Sequence, residues 1–245
     1  MTTHYDAVMQ TRPRIAVLVS LLTALLAAAA LTAGCSSSDK KSDAPLPDAA
    51  TLLKDSEATT KAQQSVHLQL TVNGEIKQLP IASMTGDLTN VPAVAAQGKA
   101  DIVFLGQKLE GVGFVVADGN LYGAITPDSW QNFGPAADIY DVAAILSPEK
   151  GLANVLANFS DSKTDGRETL NGVETVKVTG TVSADAVNKI APQIAATGPV
   201  PGTAWVTEDD KHELLQAKLE PTPGNSVQMT MSDWGKPVTV TKPAV

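Results

Sequence analysis

The chain is poor in the residues that most often do chemistry. Its 245 residues include one cysteine and three histidines. A single cysteine excludes an internal disulfide and any multi-cysteine metal site. His4, His67 and His212 have no partner at ligand spacing, and no H-x-x-x-H occurs. Phe, Tyr and Trp together make 4% of the chain, and the single tryptophans Trp130, Trp205 and Trp234, beside turns, read as packing residues more readily than as sugar-stacking ones. Positive charge is scarce as well: 18 Lys+Arg stand against 26 Asp+Glu, a net −8. A phosphate backbone needs the opposite balance, so no nucleic-acid partner is expected. No G-x-S-x-G, P-loop or post-strand G-x-G-x-x-G is present. The run Glu208-Asp209-Asp210 lacks the spaced oxygen ligands of a calcium loop and reads as a solvated turn. These absences point away from an enzyme and from any metal or cofactor.

What the chain does have begins at its N-terminus. Arg12 and Arg14 precede an uncharged, alanine-rich stretch at 15–30, and Leu31-Thr32-Ala33-Gly34-Cys35 follows. A positive start, an apolar core and a small-residue exit are the layout of a secretory signal; the rival reading is a transmembrane helix over 15–34, about the minimum length to cross a bilayer. The Ala33-Gly34-Cys35 ending resembles the bacterial lipobox, in which the cysteine is lipidated and becomes the new N-terminus. Thr32 departs from the leucine or valine commonest at its position. The expected organisation is a cleaved signal at 1–34, the lipidated Cys35 with a linker at 35–47, and one domain at 48–245. The removed part holds Arg12, Arg14 and Asp6, so the remainder carries 16 Lys+Arg against 25 Asp+Glu, a net −9. The linker residues SSSDKKSDAPLP stay solvated and reach about 20 Å as a flexible coil.

The domain shows period-two alternation, the mark of strands with one buried face. Val66 to Val72 alternates and runs into Asn73-Gly74, a hairpin dipeptide. Asp118-Gly119 and Asn171-Gly172 sit in the same context. Further hairpins are expected through Glu208-Asp209-Asp210, and near Trp234-Gly235 with a return strand at Val238-Thr239-Val240. About ten antiparallel strands in a meander follow from such short links. Helices are expected from Asp48 to about Gln64, as short turns over 138–146, over 149–159 and over 183–194. This mixture, without regular βαβ alternation, gives an α+β class: a large curved antiparallel sheet with helices on one face. Ile102 to Leu105 and Phe114 to Ala117 are apolar at every position, so both faces of each should leave water. Such a strand is either sandwiched between layers, in contact with another copy, or lining an apolar cavity.

Two longer stretches carry a family resemblance. FGPAADIYD at 133–141 and GLANVLANF at 151–159 closely resemble the mycobacterial LppX/LprA/LprF/LprG lipoproteins. PLPDA at 45–49, LTVNG at 70–74, GNSVQMT at 224–230 and the terminal VTKP look most like the LprG-type members. The resemblance covers nearly all of the chain after the signal. It implies a half-barrel sheet with helices on its concave side enclosing an apolar cavity. It also implies carriage of triacylated glycolipids (phosphatidylinositol mannosides, lipomannan, lipoarabinomannan) and triacylglycerol. An inner-membrane efflux transporter of the major facilitator class is the implied partner, and Toll-like receptor 2 agonism an implied property. The expected place is the periplasmic side of the inner membrane, lipid-anchored, or released to the cell wall, and the expected state a monomer. Alternation and helical faces put Ala100, Ile102, Phe104, Val112, Phe114, Val116, Leu152, Val155, Leu156, Val187 and Ile190 on the cavity wall. Two competing readings are a lipoprotein that steadies a membrane transporter through a dry, filled core, and an enzyme acting on envelope lipids.

Overall fold

The computed structural model describes residues 44–76 and 79–245. The expected signal peptide, Cys35 and most of the linker lie outside the described residues. Ala44–Val245 forms one compact unit that carries its own hydrophobic core, as a self-folding domain does.

The chain enters through α1 (Ala49–Lys61), whose start is set by Asp48: its carboxylate accepts from the Thr51 amide at 2.9 Å. Ala49, Leu52, Leu53, Ser56 and Thr60 fall on one side of this helix and are buried. Eleven strands follow: β1 (Ser65–Asn73), β2 (Ile81–Thr89), β3 (Ala95–Phe104), β4 (Gln107–Ala117), β5 (Asn120–Ala124), β6 (Gln131–Pro135), β7 (Phe159–Leu170), β8 (Val173–Val182), β9 (Val200–Thr207), β10 (Leu214–Thr222) and β11 (Asn225–Ser232). Between β6 and β7 lie 3-10 turns at Ala136–Asp138 and Val142–Ala144, then α2 (Leu152–Ala157). α3 (Ala184–Ile190) joins β8 to β9, and Pro192 follows it in a 3-10 turn, because proline cannot continue the α-helical hydrogen bonding.

All strands belong to one antiparallel sheet in the order β6-β5-β4-β3-β2-β1-β11-β10-β9-β8-β7. Neighbours are joined by hairpins or short links, except β8 and β9, which α3 connects, and the central pair, where the first and last strands meet with Leu70 opposite Met229. The sheet does not close. Its edges are the five-residue β6 and the bulged β7. A short or kinked edge offers a poor template for a foreign strand.

Two glycine pairs let the sheet bend. Gly86 faces Gly98, and a Cβ on Gly98 would meet the Thr85 carbonyl oxygen and lie 2.7 Å from the Gly86 Cα. Gly180 faces Gly202, where a Cβ would sit 2.9 Å from the Phe159 ring. Main chain at Gly98, and the Val182 and Phe159 side chains at Gly202, leave no room for a Cβ, and glycine at such places lets a sheet bend.

Several expectations change here. There are eleven strands instead of about ten. Asn73-Gly74 does not close a two-residue hairpin; residues 74–80 connect β1 to β2, with the Glu75 amide donating to Asn225 Oδ1 at 3.0 Å. Val238–Val240 is no strand. Both edges of β11 are already taken by β1 and β10, so no partner is left for it. The segment after Gly235 instead packs Val240 beside Val115, Ala117 and Tyr122, with Lys242 3.2 Å from Asp118. The helices over 149–159 and 183–194 shrink to six and seven residues. Phe159 opens a strand and does not end a helix.

The two fully apolar runs part company. In Phe114 to Ala117 both faces are covered: Val116 looks into the main core, and Val115 and Ala117 lie under Tyr122, Trp130 and Val240. Ile102 to Leu105 is not buried on both faces. Val103, Phe104 and Leu105 are 46, 57 and 89% exposed, because this run straddles a turn. Leu105-Gly106 closes β3 onto β4 with both φ positive, at 51° and 77°. That is the backbone of a type I′ hairpin, usually marked by Asn or Asp in the first position.

Candidate functional site: an apolar wall open at one end

Strand register places one row of inward side chains across eight neighbouring strands. From β8 to β4 it reads Val178, Ala204, Ala217, Met229, Leu70, Met84, Ala100 and Val112. Every member is apolar. Alternate positions along each strand add parallel rows. On the side toward Ser65 run Met231, Leu68, Gly86, Gly98, Phe114 and Gly123, then Val66, Leu88, Ala96, Val116 and Leu121. Toward the β3–β4 turn lie Gly202, Leu219, Val227 and Val72, with Ile102 opposite Leu109. At about 4.8 Å per strand the main row is about 34 Å long along the arc.

Burial is graded along this wall. Val66, Leu88, Ala96 and Val116 are sealed. Leu70, Val72, Met84, Phe114, Ala217, Leu219 and Ile102 are only half-buried. Over β1–β4 the wall is therefore closed at the Ser65 end and opens toward the β3–β4 turn, whereas over β8–β11 Val182, Val200 and Val227 are buried on the turn side as well.

The sealed part is filled by helices. α1 packs on α2 and against β7 and β9, and α2 packs on α3. Leu152, Val155, Leu156, Val187 and Ile190 sit in the same cluster as the sheet, at 0–3% exposure. Tyr140 ties the 3-10 segment to α3: its hydroxyl donates to the Ile190 carbonyl at 2.8 Å, and burial pushes the phenol well above its ordinary pKa. It stays neutral and donates at any physiological pH.

The eleven residues expected to line a cavity thus fall into three groups. Ala100, Ile102, Val112, Phe114 and Val116 stand on the sheet wall. The five helix residues are close-packed and form its plug. Phe104 is carried past the wall onto an exposed turn. The residues missed are Leu70, Val72, Met84, Ala217, Leu219 and Met229. Their alternation was visible in each strand; what joins them is register between strands far apart in sequence.

Polar chemistry lies elsewhere. Arg167, with its side chain 6% exposed, donates to both Glu208 carboxylate oxygens at 2.6 Å and to the Ala44 carbonyl at 2.8 Å. These hydrogen bonds hold the Glu208 carboxyl below its usual range. His67 lies 2.7 Å from Asp87 on the outward face of β1. Glu208-Asp209-Asp210 is a turn, as expected, with Asp209 accepting from Thr207. Among the described residues no group of three or more His, Cys, Asp or Glu could hold a metal ion, and no helix is long and apolar enough to cross a membrane.

An open curved sheet with a continuous apolar inner wall and no polar centre on it defines a domain built to hold something greasy or to be filled by its own helices. Comparison with known proteins names the family. The LppX_LprAFG lipoprotein family model matches residues 48–240, and the chain belongs to that family. Among its relatives is the lipoarabinomannan carrier protein LprG of Mycolicibacterium smegmatis, 67% identical over 96% of this chain and all of its own length. The protein of the same name from Mycobacterium tuberculosis is 52% identical over 93% of this chain and 95% of its own. The crystal structure of LprF from Mycobacterium bovis superposes with a TM-score of 0.74 at 30% identity, covering 81% of this chain and all of that one. LppX from Mycobacterium tuberculosis gives 0.61 at 27% identity, covering 78% and 97%.

Proposed function

We propose that this protein is a lipid carrier of the cell envelope, which shields acyl chains against the half-buried apolar wall while leaving a polar headgroup outside. One observation carries the reading: the eight-strand row from Val178 to Val112 is wholly apolar and is part-exposed in its middle, at Leu70, Met84 and Ala217. Apolar surface held open to water is costly unless something covers it, at about 0.8 kcal/mol per CH₂. An acyl chain covers it without any hydrogen-bonding demand. The names of the two LprG relatives support lipoarabinomannan as a cargo.

The finer reading is that cargo is triacylated: phosphatidylinositol mannosides, lipomannan, lipoarabinomannan and triacylglycerol. Exchange with a bilayer trades one apolar environment for another, so no nucleotide or cofactor is needed. The protein would be lipidated at Cys35, face the periplasm from the inner membrane, and work beside a major facilitator efflux transporter. Native mass spectrometry of residues 44–245, incubated with mycobacterial membrane lipids and repurified, tests the carrier reading. A lipid at one per protein, lost in Ala100→Trp and Ala217→Trp, is the expected result. Wild-type protein of bare polypeptide mass, with its melting temperature unmoved by added glycolipid, overturns it and favours an accessory role.

A further inference from the structure

The β3–β4 hairpin reaches beyond its neighbours. β5 ends at Ala124, opposite Gly113, so among the described residues β4 from Val112 outward has no strand partner on that side. β2 begins at Ile81, opposite Ile102, and beyond it only the Val103 amide is held, by Pro80. The end is a free two-stranded finger, and it is capped by Val103, Phe104 and Leu105, all exposed.

The cap is apolar against local preference. Leu105 takes the left-handed conformation at φ 51°, where Asn, Asp or Gly would sit with less strain. The fold gains nothing from a leucine side chain that touches almost nothing. Val103 and Phe104 point to opposite faces of the finger while Leu105 sits at its end. One flat protein surface cannot cover all three; a fluid apolar phase closes around them from every side. Behind the cap is a charged collar, with Lys108 2.9 Å from Glu110 and 3.7 Å from Asp101. An apolar cap with a polar collar matches the boundary between acyl chains and headgroups. Phe104 and Ile102 also share the face that leads back to Ala100, so the finger is continuous with the open end of the apolar wall.

We infer that the β3–β4 finger inserts Val103, Phe104 and Leu105 into a lipid bilayer and sets the open end of the wall against it. The collar holds one lysine and two acids, so insertion rests on apolar burial and not on anionic lipid. The inference extends the carrier reading but is tested without cargo. The sole cysteine of the chain, Cys35, lies outside residues 44–245, so a cysteine introduced in that domain is labelled alone.

An environment-sensitive dye at Leu105→Cys is titrated with phosphatidylcholine vesicles, and with vesicles containing phosphatidylglycerol. Glu174→Cys, exposed at the other end of the sheet, is the control. The expected result is a blue shift at position 105 only, similar for both vesicles and little changed by salt. A second readout is unlabelled protein sedimenting with vesicles, which Val103→Ser/Phe104→Ser/Leu105→Asn should reduce at least about tenfold. Leu105→Asn alone should weaken binding while raising the melting temperature, since Asn suits the turn. No shift at 105 on either vesicle, or a shift caused by self-association in sedimentation equilibrium, overturns the inference. Vesicle binding without lipid in the mass spectrum would leave the finger standing and sink the carrier.

Discussion

At the residue scale the fold depends on a few side chains and on a few absent ones. Gly98 faces Gly86 so closely that a methyl group collides with main chain that cannot yield. Gly98→Ala is expected to cost about 2 kcal/mol or more, read as a lowered urea midpoint with unchanged slope. Tyr140→Phe removes a buried hydroxyl and orphans the Ile190 carbonyl. It should cost about 1 kcal/mol and speed amide exchange in residues 136–146 before it affects the sheet. The acidic groups set the response to pH. Hydrogen bonds from Arg167 lower the Glu208 pKa, those from Thr207 lower Asp209, and the Thr51 amide lowers Asp48. A carboxyl with a depressed pKa binds fewer protons folded than unfolded. Its stabilisation is therefore full above the unfolded value of about 4 and is lost as pH falls through the folded value. Urea midpoints should be level from about pH 5 to 7 and drop below about pH 4.

At the element scale, α1 is the plug's main anchor. Leu53 is buried in the core that α1 shares with the sheet, and Leu53→Ala should cost about 3 kcal/mol while leaving the hairpins formed. Much of the element list was legible in the sequence. Asp48 announced the start of α1, and Asp118-Gly119 and Asn171-Gly172 announced two hairpins, because those residues accept the positive φ that such turns require. The misreadings have one cause, which is that local pattern does not report what an element will touch. Leu105-Gly106 turns without a turn-forming residue in first place, so an exposed finger read as a buried strand. Val238-Thr239-Val240 alternates like a strand but arrives when both edges of β11 are occupied. Asn73-Gly74 carries the hairpin signature, yet Asn225 of the neighbouring β11 satisfies its loop.

At the scale of the whole molecule, the decisive contact is between the first strand and the last. Pairing β1 with β11 turns two meanders into one curved surface and completes the apolar row through Leu70 and Met229. No sequence period carries that pairing, so the wall was visible only in pieces: Ala100, Val112 and Phe114 were recognised, Met84 and Ala217 were not. The same pairing lets the tail after Gly235 cross to β4 and β5, where Val240 and Lys242 settle on Val115, Tyr122 and Asp118. Deleting residues 236–245 should leave α1 and β8 protected and raise amide exchange in β4 and β5 first. The central claim is that acyl chains lie along this row. Photocrosslinking residues 44–245 with a diazirine-tagged triacylated glycolipid, followed by peptide mapping, tests it directly. Adducts on peptides holding Leu70, Met84, Ala217 and Met229, suppressed by untagged glycolipid, are the expected result. Adducts confined to the outer face of the sheet, or unaffected by competitor, would contradict it.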